Sequence, residues 1–366
     1  MIKKSLYILF AVLLFPRACM KDDQIWEVDQ SPYNIPTSGI FVINEGNFMY
    51  GNASLTYYDP ETREVVDDLF FSTNGIPLGD VAHSMTIRGN LGYVVVNNSG
   101  RIYIFNTSTF EVVGKITGLT SPRYIHFIND NKAYVTDLYA RSIAVVNPAT
   151  MKVTGAIPVS NNNNEFYQHA TEQMVQYDKY VYTNCWSYDN QVLVIDSELD
   201  RVIDSIEVRK QPNSMILDKY NALWVMCDGG IEGSSYGAEA PGLLRIGPGE
   251  TEAKVILSFS PGQRPAELKI NGRGDTLYFI NEDVFRYPVN GSTGPELIIQ
   301  SPYEATGMYG FYGLGVDPVN SEIYVADAID YVQRGIVYRF SAEGVPVDTI
   351  RAGIAPGEFC FKPAIQ

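Results

Sequence analysis

Cysteine and histidine are scarce in this chain of 366 residues, which holds four cysteines and three histidines. Cys19 follows an amino-terminal apolar run, so only Cys185, Cys227 and Cys360 remain, and three cysteines make no disulfide framework. A bridge between Cys185 and Cys227 stays open, because both end similar runs. Equivalent points on neighbouring repeats usually lie beyond the Cα reach of about 7 Å, so we expect buried free thiols.

Basic residues are also in deficit. The chain has 27 Lys and Arg against 42 Asp and Glu, a formal net charge of −15. Binding to nucleic acid depends on basic residues that release counterions, so we expect no nucleic-acid partner. Helical periodicity of useful length is missing as well, and short β-rich runs between turn residues predict an all-β fold.

The amino terminus carries the features of a secretory signal. Lys3 and Lys4 precede an apolar run over 6–15, and Ala18 stands before Cys19. The run is too short to span a membrane, which needs about 20 residues. The segment resembles a bacterial lipoprotein signal, which implies that Cys19 is lipidated, and the acidic 20–23 resembles the surface-export signal of Bacteroidetes lipoproteins. We therefore expect a signal peptide over 1–18, a lipidated tether over 19–37 and a folded domain over 38–366. The expected location is the outer membrane at the cell surface, with membrane contact only through the lipid.

One short phrase recurs seven times at intervals of about 40 to 50 residues, the period of propeller blades. Each copy is an aromatic or β-branched run that ends in Asn or Asp. The copies are 41–44, 94–97, 133–137, 181–184, 225–228, 278–281 and 324–327. Each copy reads as the second strand of a four-stranded antiparallel unit, and a turn that begins with Asx joins the third and fourth strands. The repeat predicts a seven-bladed β-propeller.

The two ends of the chain should complete one blade together. The first unit begins at its second strand, 39–44, and the missing first strand is supplied by 356–361. Sharing a blade between the termini closes the ring and removes an exposed sheet edge.

The repeats also carry a family resemblance. The run 133–137, Ala-Tyr-Val-Thr-Asp, resembles the YVTN repeat of bacterial seven-bladed propellers. The opening 41–47, Phe-Val-Ile-Asn-Glu-Gly-Asn, followed by 57–59, is similar to the surface lipoprotein propellers of gut Bacteroidetes that include the cobalamin-binding BtuG proteins. The resemblance implies a corrinoid ligand such as cobalamin, handed to an outer-membrane TonB-dependent transporter, with no cofactor of the protein's own.

Loop lengths differ between the two faces of the predicted ring. Turns between strands one and two, and three and four, are minimal, whereas the other face carries long segments at 45–52, 72–81, 160–169, 228–241, 301–309 and 328–335. Long loops on a rigid scaffold are where binding residues concentrate. The aromatic residues expected on this face, together with Met49, are Phe48, Tyr50, Tyr139, Phe166, Tyr167, Trp186, Tyr188, Tyr236, Tyr309, Phe311, Tyr312 and Tyr331.

An aromatic rim above amide and carboxylate groups suits a large uncharged ligand rich in amides or hydroxyls. The Asn and Asp that end the repeated strands should converge around the channel, although capping of strand ends explains each of them equally well. The ligand-binding residues predicted from placement are Asn44, Glu45, Tyr50, Asn97, Asp137, Tyr139, Asn184, Trp186, Asp228, Tyr236, Asn281, Asp327 and Tyr331, with Arg123 and Asn213 as second choices.

Metal sites receive little support. His83 and His169 would lie near the long-loop face, but no Cys/His cluster has metal-site spacing, and His126 reads as a packed core histidine. A ring of oxygen ligands from Asn44, Asp137, Asp228 and Asp327 is the hypothesis for Ca²⁺. We predict no metal.

Two other functions stay open beside ligand capture. One is an adhesion or surface-layer propeller that binds a glycan or protein through a Tyr-rich patch without a concavity. The other is a hydrolase or lyase, which requires two or more carboxylates, such as Glu45, Asp228, Glu267 and Asp327, to converge at the channel mouth. We expect a binding protein and not an enzyme, with no catalytic residues.

Overall fold

Seven four-stranded antiparallel sheets make up the described part of the chain. A computed structural model describes residues 38–161, 168–291, 293–303 and 310–362. The predicted signal, Cys19 and the tether lie outside these residues. None of the helices in the described ranges has the length and apolarity needed to cross a membrane.

The strands follow the predicted four-per-blade order. Blade 1 contains β1 (Gly39–Asn44), β2 (Ser54–Tyr58) and β3 (Val65–Val66), and blade 2 contains β4 (Ala82–Arg88), β5 (Leu91–Val96), β6 (Arg101–Asn106) and β7 (Val112–Thr117). Blade 3 contains β8 (Pro122–Asn129), β9 (Lys132–Asp137), β10 (Ser142–Asn147) and β11 (Lys152–Pro158). Blade 4 contains β12 (Thr171–Tyr177), β13 (Tyr180–Cys185), β14 (Gln191–Asp196) and β15 (Arg201–Glu207).

The remaining blades repeat the pattern. Blade 5 contains β16 (Pro212–Leu217), β17 (Leu223–Cys227), β18 (Gly242–Ile246) and β19 (Lys254–Ser258). Blade 6 contains β20 (Ala266–Ile270), β21 (Thr276–Asn281), β22 (Asp283–Pro288) and β23 (Glu296–Ile299). Blade 7 contains β24 (Phe311–Val316), β25 (Ile323–Asp327), β26 (Arg334–Phe340) and β27 (Pro346–Ile354), after which β28 (Pro356–Lys362) returns to blade 1. The all-β seven-bladed propeller is thereby confirmed.

Closure by both termini is confirmed as well. β28 pairs antiparallel with β1, with Gly39 opposite Lys362 and Val42 opposite Phe359, so it supplies the inner strand of blade 1. The inner strands of adjacent blades pack against one another around the whole ring, including β24 against β28 and β28 against β4. β28 therefore gives blade 1 the inner strand that each of the other six blades has.

The repeated strands are apolar on both faces because blades cover both faces. Ile40 and Val42 pack towards blade 7, whereas Phe41 and Ile43 pack towards blade 2. All six residues of β1 are buried, but in β11, a fourth strand at the outer edge, only Ile157 is buried. Burial on both sides replaces the alternation of a half-exposed strand with a continuous apolar run.

Asx residues set the turns between third and fourth strands, as predicted. The Oδ1 atoms of Asp59, Asn106 and Asp196 accept hydrogen bonds from the backbone N–H two residues later, at 2.8, 2.8 and 2.9 Å. These side chains mimic a backbone turn and fix the hairpin.

One short helix was not predicted, whereas the state of the three cysteines was. A short helix, α1 (Leu69–Asn74), begins before the segment predicted as a long loop over 72–81, and it buries Leu69 and Phe70 against blades 1 and 2. Cys185, Cys227 and Cys360 are free and buried, so the expected free thiols are confirmed and no bridge joins blades 4 and 5.

Candidate functional site

A β-bulge opens the inner strand of every blade. In six blades the first residue pairs with the last residue of the second strand, and in blade 6 Ala266 pairs with the next-to-last, Ile280. One extra residue on the inner strand then interrupts the register. Bulges re-aim the side chain that they displace. The second residues of the seven inner strands, which we call the mouth ring, are His83, Arg123, Glu172, Asn213, Glu267, Tyr312 and Gly357.

The mouth ring lines one cavity of about 230 Å³. Glu45, Tyr124 and Trp186 complete its wall. The cavity lies at the end of the central channel on the long-loop face, because the second strands end and the inner strands begin there. Of the predicted site residues, Glu45, Arg123, Trp186 and Asn213 line it.

A buried ion pair crosses one side of the ring. Arg123 Nε lies 2.9 and 2.8 Å from the two carboxylate oxygens of Glu172, whose side chain is 5% exposed. Burial opposes ionisation of Glu172, but the charges of Arg123 and His83 outweigh it and hold the pKa of the carboxyl below its usual value. Glu172 is therefore a fixed anion that is neutralised by its neighbour.

His83 lies between two carboxylates. Its Nε2 is 3.7 Å from Glu172 Oε2 and its Nδ1 is 4.0 Å from Glu45 Oε1, and the buried Nε2 has no hydrogen-bond partner among the described residues. Glu45 is held from the other side, because the Tyr312 hydroxyl donates to its Oε2 at 2.8 Å. The histidine thus offers an unused polar atom at the cavity.

The third carboxylate of the cavity, Glu267, belongs to a separate cluster. Lys269 Nζ lies 3.3 Å from Glu267 Oε2 and 3.0 Å from Glu358 Oε1. Burial, together with the charge of Glu358, raises the pKa of Glu267 to about 7 despite the opposing effect of Lys269. Glu267 also adopts a positive φ of 57°, which a non-glycine residue rarely adopts.

The Asn and Asp at the strand ends lie one strand outward from the channel lining. Asp137 accepts four backbone hydrogen bonds, and Asn97 donates to Ser121 Oγ at 2.9 Å and to the Pro122 carbonyl at 3.1 Å. Six of the seven are buried, namely Asn44, Asn97, Asp137, Asn184, Asn281 and Asp327, and the Oδ1 atoms of Asn184 and Asn281 have no hydrogen-bond partner among the described residues. The residues that surround the channel mouth are those of the mouth ring, and not the strand ends as predicted. Their contact with a ligand stays a prediction.

Asp228, the seventh strand end, lies closer to the cavity. It is half-buried, and Trp186 Nε1 lies 3.3 Å from its Oδ2. Burial raises the pKa of its carboxyl. Asp228 therefore holds the indole that forms one wall of the mouth.

Exposed aromatic side chains surround the mouth on this face. Tyr50 and Tyr139 are 79% and 66% exposed. Tyr331 packs edge-on against Tyr312 with ring centroids 5.2 Å apart. On the opposite side of the seven-membered ring, Tyr188 and Tyr236 form a second edge-on pair at 6.2 Å.

Three predicted rim aromatics, Phe166, Tyr167 and Tyr309, lie outside the described residues. Phe311 does not belong to the rim, because it begins β24 and packs on the core between blades 6 and 7. Phe48 and Met49 are exposed, as their loop position suggests.

The remaining histidines behave differently from one another. His126 lies within β8 and pairs through Nε2 with Gln176 Oε1 at 3.0 Å, and burial lowers its pKa, as fits a packed histidine. His169 precedes β12 and pairs with Asp189 at 2.6 Å. Within the described residues, Asp137, Asp228 and Asp327 come together in no group that could hold a metal ion, and Asn44 is engaged with Ser54, Thr56 and Gly353.

Sequence reasoning placed five ring residues on this face or at the channel mouth without recognising one ring, and it missed Glu172 and Gly357; the five are His83, Arg123, Asn213, Glu267 and Tyr312. A signal was present, because the ring residue follows Pro in Pro122-Arg123, Pro212-Asn213 and Pro356-Gly357. Another motif was also overlooked: 233–237 matches Gly-x-Ser-x-Gly. It lies in the loop between β17 and β18 and not at a strand-to-helix turn, so it lacks the context of a nucleophile elbow.

A comparison with known protein families shows which family this propeller belongs to. A family model described as "Domain of unknown function (DUF5074)" matches residues 38–353. The chain belongs to the DUF5074 family. No curated protein sequence matches it.

Solved structures similar to this DUF5074 propeller differ widely in function. A quinonprotein alcohol dehydrogenase-like protein from Bacteroides thetaiotaomicron is 14% identical with a TM-score of 0.66, over 89% of this chain and 79% of that one. A periplasmic gluconolactonase from Pseudomonas aeruginosa is 12% identical with a TM-score of 0.66, over 90% and 99%. Hydrazine synthase from Kuenenia stuttgartiensis is 14% identical with a TM-score of 0.56, over 76% and 88%. At these identities the likeness shows the fold alone.

Proposed function

We propose that this DUF5074 chain is a cell-surface lipoprotein that binds a large, mostly uncharged small molecule over the channel mouth. A corrinoid such as cobalamin is the first candidate ligand, passed on to an outer-membrane TonB-dependent transporter. The identity of the ligand and the transporter rest on the resemblance of 41–47 to the Bacteroidetes surface propellers. The binding site rests on the geometry of the mouth.

The observation that carries the proposal is a polar cavity beneath an aromatic rim, with most of its charges paired internally. Arg123 neutralises Glu172, and Lys269 lies between Glu267 and Glu358. Because these charges already have partners, a neutral ligand gains more from the mouth than a strongly charged one. Amide groups fit the free hydrogen-bonding capacity there, including Nε2 of His83.

The size of the cavity fits partial insertion. Small-molecule sites usually enclose about 300 to 1,000 Å³, whereas this mouth holds about 230 Å³. A large ligand therefore places one edge in the mouth and the rest against the rim. Stacking on Trp186 and Tyr331 supplies apolar contact area.

Titration of the purified full chain with cyanocobalamin and cobinamide tests this proposal. We expect a thermal shift and a calorimetric signal at micromolar ligand. Trp186→Ala should weaken binding by about tenfold or more, the effect of losing an aromatic anchor. Tyr220→Ala is the matched control, because Tyr220 is 57% exposed on the short-turn face. Absence of binding to both corrinoids, or equal loss in both variants, would overturn the proposal.

A second candidate function is hydrolysis or lyase chemistry at the same mouth. The sequence requirement was two or more carboxylates at the channel, and Glu45, Glu172 and Glu267 all line the cavity with His83. A carboxyl whose pKa is raised to about 7 suits a general acid or base. Screening lactones and oligosaccharides for turnover tests it. Activity that Glu267→Gln abolishes supports this candidate, and no turnover on either class contradicts it.

The adhesion hypothesis predicted a Tyr-rich patch without a concavity. The mouth cavity favours a small molecule over a flat macromolecular contact. A glycan array incubated with the full chain distinguishes the two, because an adhesin binds glycans with no thermal shift from corrinoids.

A further inference from the structure

Two of the rarest side-chain types in the protein, His and Cys, meet an aspartate in blade 4, outside the mouth ring. The chain has three histidines and four cysteines. His169, Cys185 and Asp189 place one nitrogen, one sulfur and one carboxylate oxygen within 4.8 Å of one another.

Different elements bring these residues together. Cys185 ends β13, His169 lies two residues before β12, and Asp189 lies two residues before β14. The backbone fixes their positions, because His169 N donates to the Val159 carbonyl at 2.8 Å and the Asp189 carbonyl accepts from Gln211 N at 2.8 Å. The three side chains are thus held by the ordered end of a blade.

The cluster is shielded from solvent. Cys185 is fully buried, and the side chains of Asp189 and His169 are 9% and 18% exposed. His169 Nδ1 lies 2.6 Å from Asp189 Oδ2. A carboxylate next to a thiol is a poor place for a second anion but a good place for a cation.

We propose that His169, Cys185 and Asp189 form a zinc-binding site with one open coordination position. Sulfur, imidazole and carboxylate are the ligands that Zn²⁺ takes, at about 2.3 Å for sulfur and about 2.0 Å for nitrogen and oxygen. The three ligand atoms already lie within 4.8 Å of one another, so the side chains have to move only locally to surround one ion. Three protein ligands leave the fourth tetrahedral position for water or a ligand group.

Metal binding releases one proton overall. The Cys185 thiol loses its proton to solvent as the Zn–S bond forms. Nδ1 of His169 releases the proton that it donates to Asp189 Oδ2, Nε2 takes up one proton from solvent, and Nδ1 and the Asp189 carboxylate then bind the metal. The site loses one proton and gains a divalent cation.

The proposed zinc site lies next to a residue of the cavity wall. Trp186 directly follows Cys185 and lines the cavity. A metal on Cys185 therefore restrains the segment that carries this indole. This site goes beyond the proposed ligand binding and stands or falls separately from it.

Metal titration of the full chain tests the site. The protein is first treated with a chelator and then titrated with Zn²⁺ in competition with a chromophoric chelator, and with Co²⁺ while absorption is recorded. We expect one Zn²⁺ per chain and a thiolate-to-cobalt charge-transfer band. Cys185→Ser should weaken zinc binding by roughly 100-fold or more, since even residues that only orient a ligand contribute roughly 10- to 100-fold.

Cys227→Ser is the matched control. Cys227 ends the equivalent strand of blade 5 and is equally buried, and it belongs to no such cluster among the described residues. Zinc affinity should be unchanged in this variant.

Asp189→Asn provides a second ligand variant should Cys185→Ser fail to fold, and it should also bind zinc more weakly. The proposal is overturned by no stoichiometric zinc at micromolar concentration, by a cobalt spectrum without the thiolate band, or by equal affinities in the Cys185 and Cys227 variants. The last result would leave a His–Asp hydrogen bond beside an ordinary core cysteine.

Discussion

Two sets of seven residues lie on the same face of this propeller, and they differ in chemistry. The strand ends use only two residue types, Asn and Asp, and six of the seven are buried. The mouth ring holds six residue types in seven positions and lines a cavity. Repetition therefore marks the scaffold, because every blade has the same end to build. Variation between repeats marks the site, because a ligand is not seven-fold symmetric.

The largest effect expected from this comparison is on stability. Asp137 accepts hydrogen bonds from the backbone N–H groups of Thr120, Ser121, Tyr139 and Ala140 at 2.7 to 3.2 Å. Asp137→Ala leaves these donors without their acceptor, which should lower the free energy of unfolding by about 3 kcal/mol. Urea denaturation measures this loss.

Asp130→Ala is the control for that experiment. Asp130 is exposed on the opposite face and forms a surface ion pair with Arg88, which is worth about 1 kcal/mol or less. Equal losses in the two variants would contradict the scaffolding role of the strand end.

An intermediate effect is expected in the pH dependence of stability. The pKa of Glu267 is raised from 4.5 to about 7 in the folded chain, so the folded state binds more protons than the unfolded state between these values. The contribution of Glu267 to stability is therefore most favourable below about pH 4.5 and declines as the pH rises to about 7. Unfolding of the wild type and Glu267→Gln from pH 4 to 8 measures the difference. A difference that grows in the opposite direction, or stays flat, refutes the raised pKa.

The smallest effect concerns a single hydroxyl of the mouth ring. Tyr312→Phe removes the hydrogen bond to Glu45 but keeps the ring packed against Tyr331. Loss of one such bond should lower the free energy of unfolding by about 1 kcal/mol. Thermal or urea denaturation measures it, and a loss as large as that of Asp137→Ala would mean that the ring is also scaffold.

The fold was predictable from sequence because blades impose repeated local demands. β9 occupies the predicted Lys132–Asp137, and β28 closes blade 1 as its similarity to the other inner strands indicated. Turn residues, and strands that are buried on both faces, each produce a pattern that can be recognised in a single sequence. Helix α1 was missed because six residues are too few for a periodic pattern.

The site was less predictable, for a physical reason. Loop lengths identified the face, and Arg123 and Asn213 were placed near it, but His83 and Glu172 were not recognised as parts of one ring. A bulge shifts the alternation of inward and outward side chains by one residue. Sequence periodicity alone therefore cannot show which residue at the start of an inner strand faces the channel.

A matched pair of asparagines tests whether the mouth ring, and not the ring of strand ends, binds the ligand. Asn213 in the mouth ring donates to the Pro265 carbonyl at 2.8 Å, and Asn97 at a strand end donates to the Pro122 carbonyl at 3.1 Å. Calorimetric titration of cyanocobalamin into Asn213→Ala and Asn97→Ala compares two variants that remove the same side chain and the same type of hydrogen bond. We expect Asn213→Ala to lose affinity for cyanocobalamin by about tenfold. We expect Asn97→Ala to keep wild-type affinity in a less stable chain. Loss of affinity in Asn97→Ala with unchanged binding by Asn213→Ala would contradict this expectation.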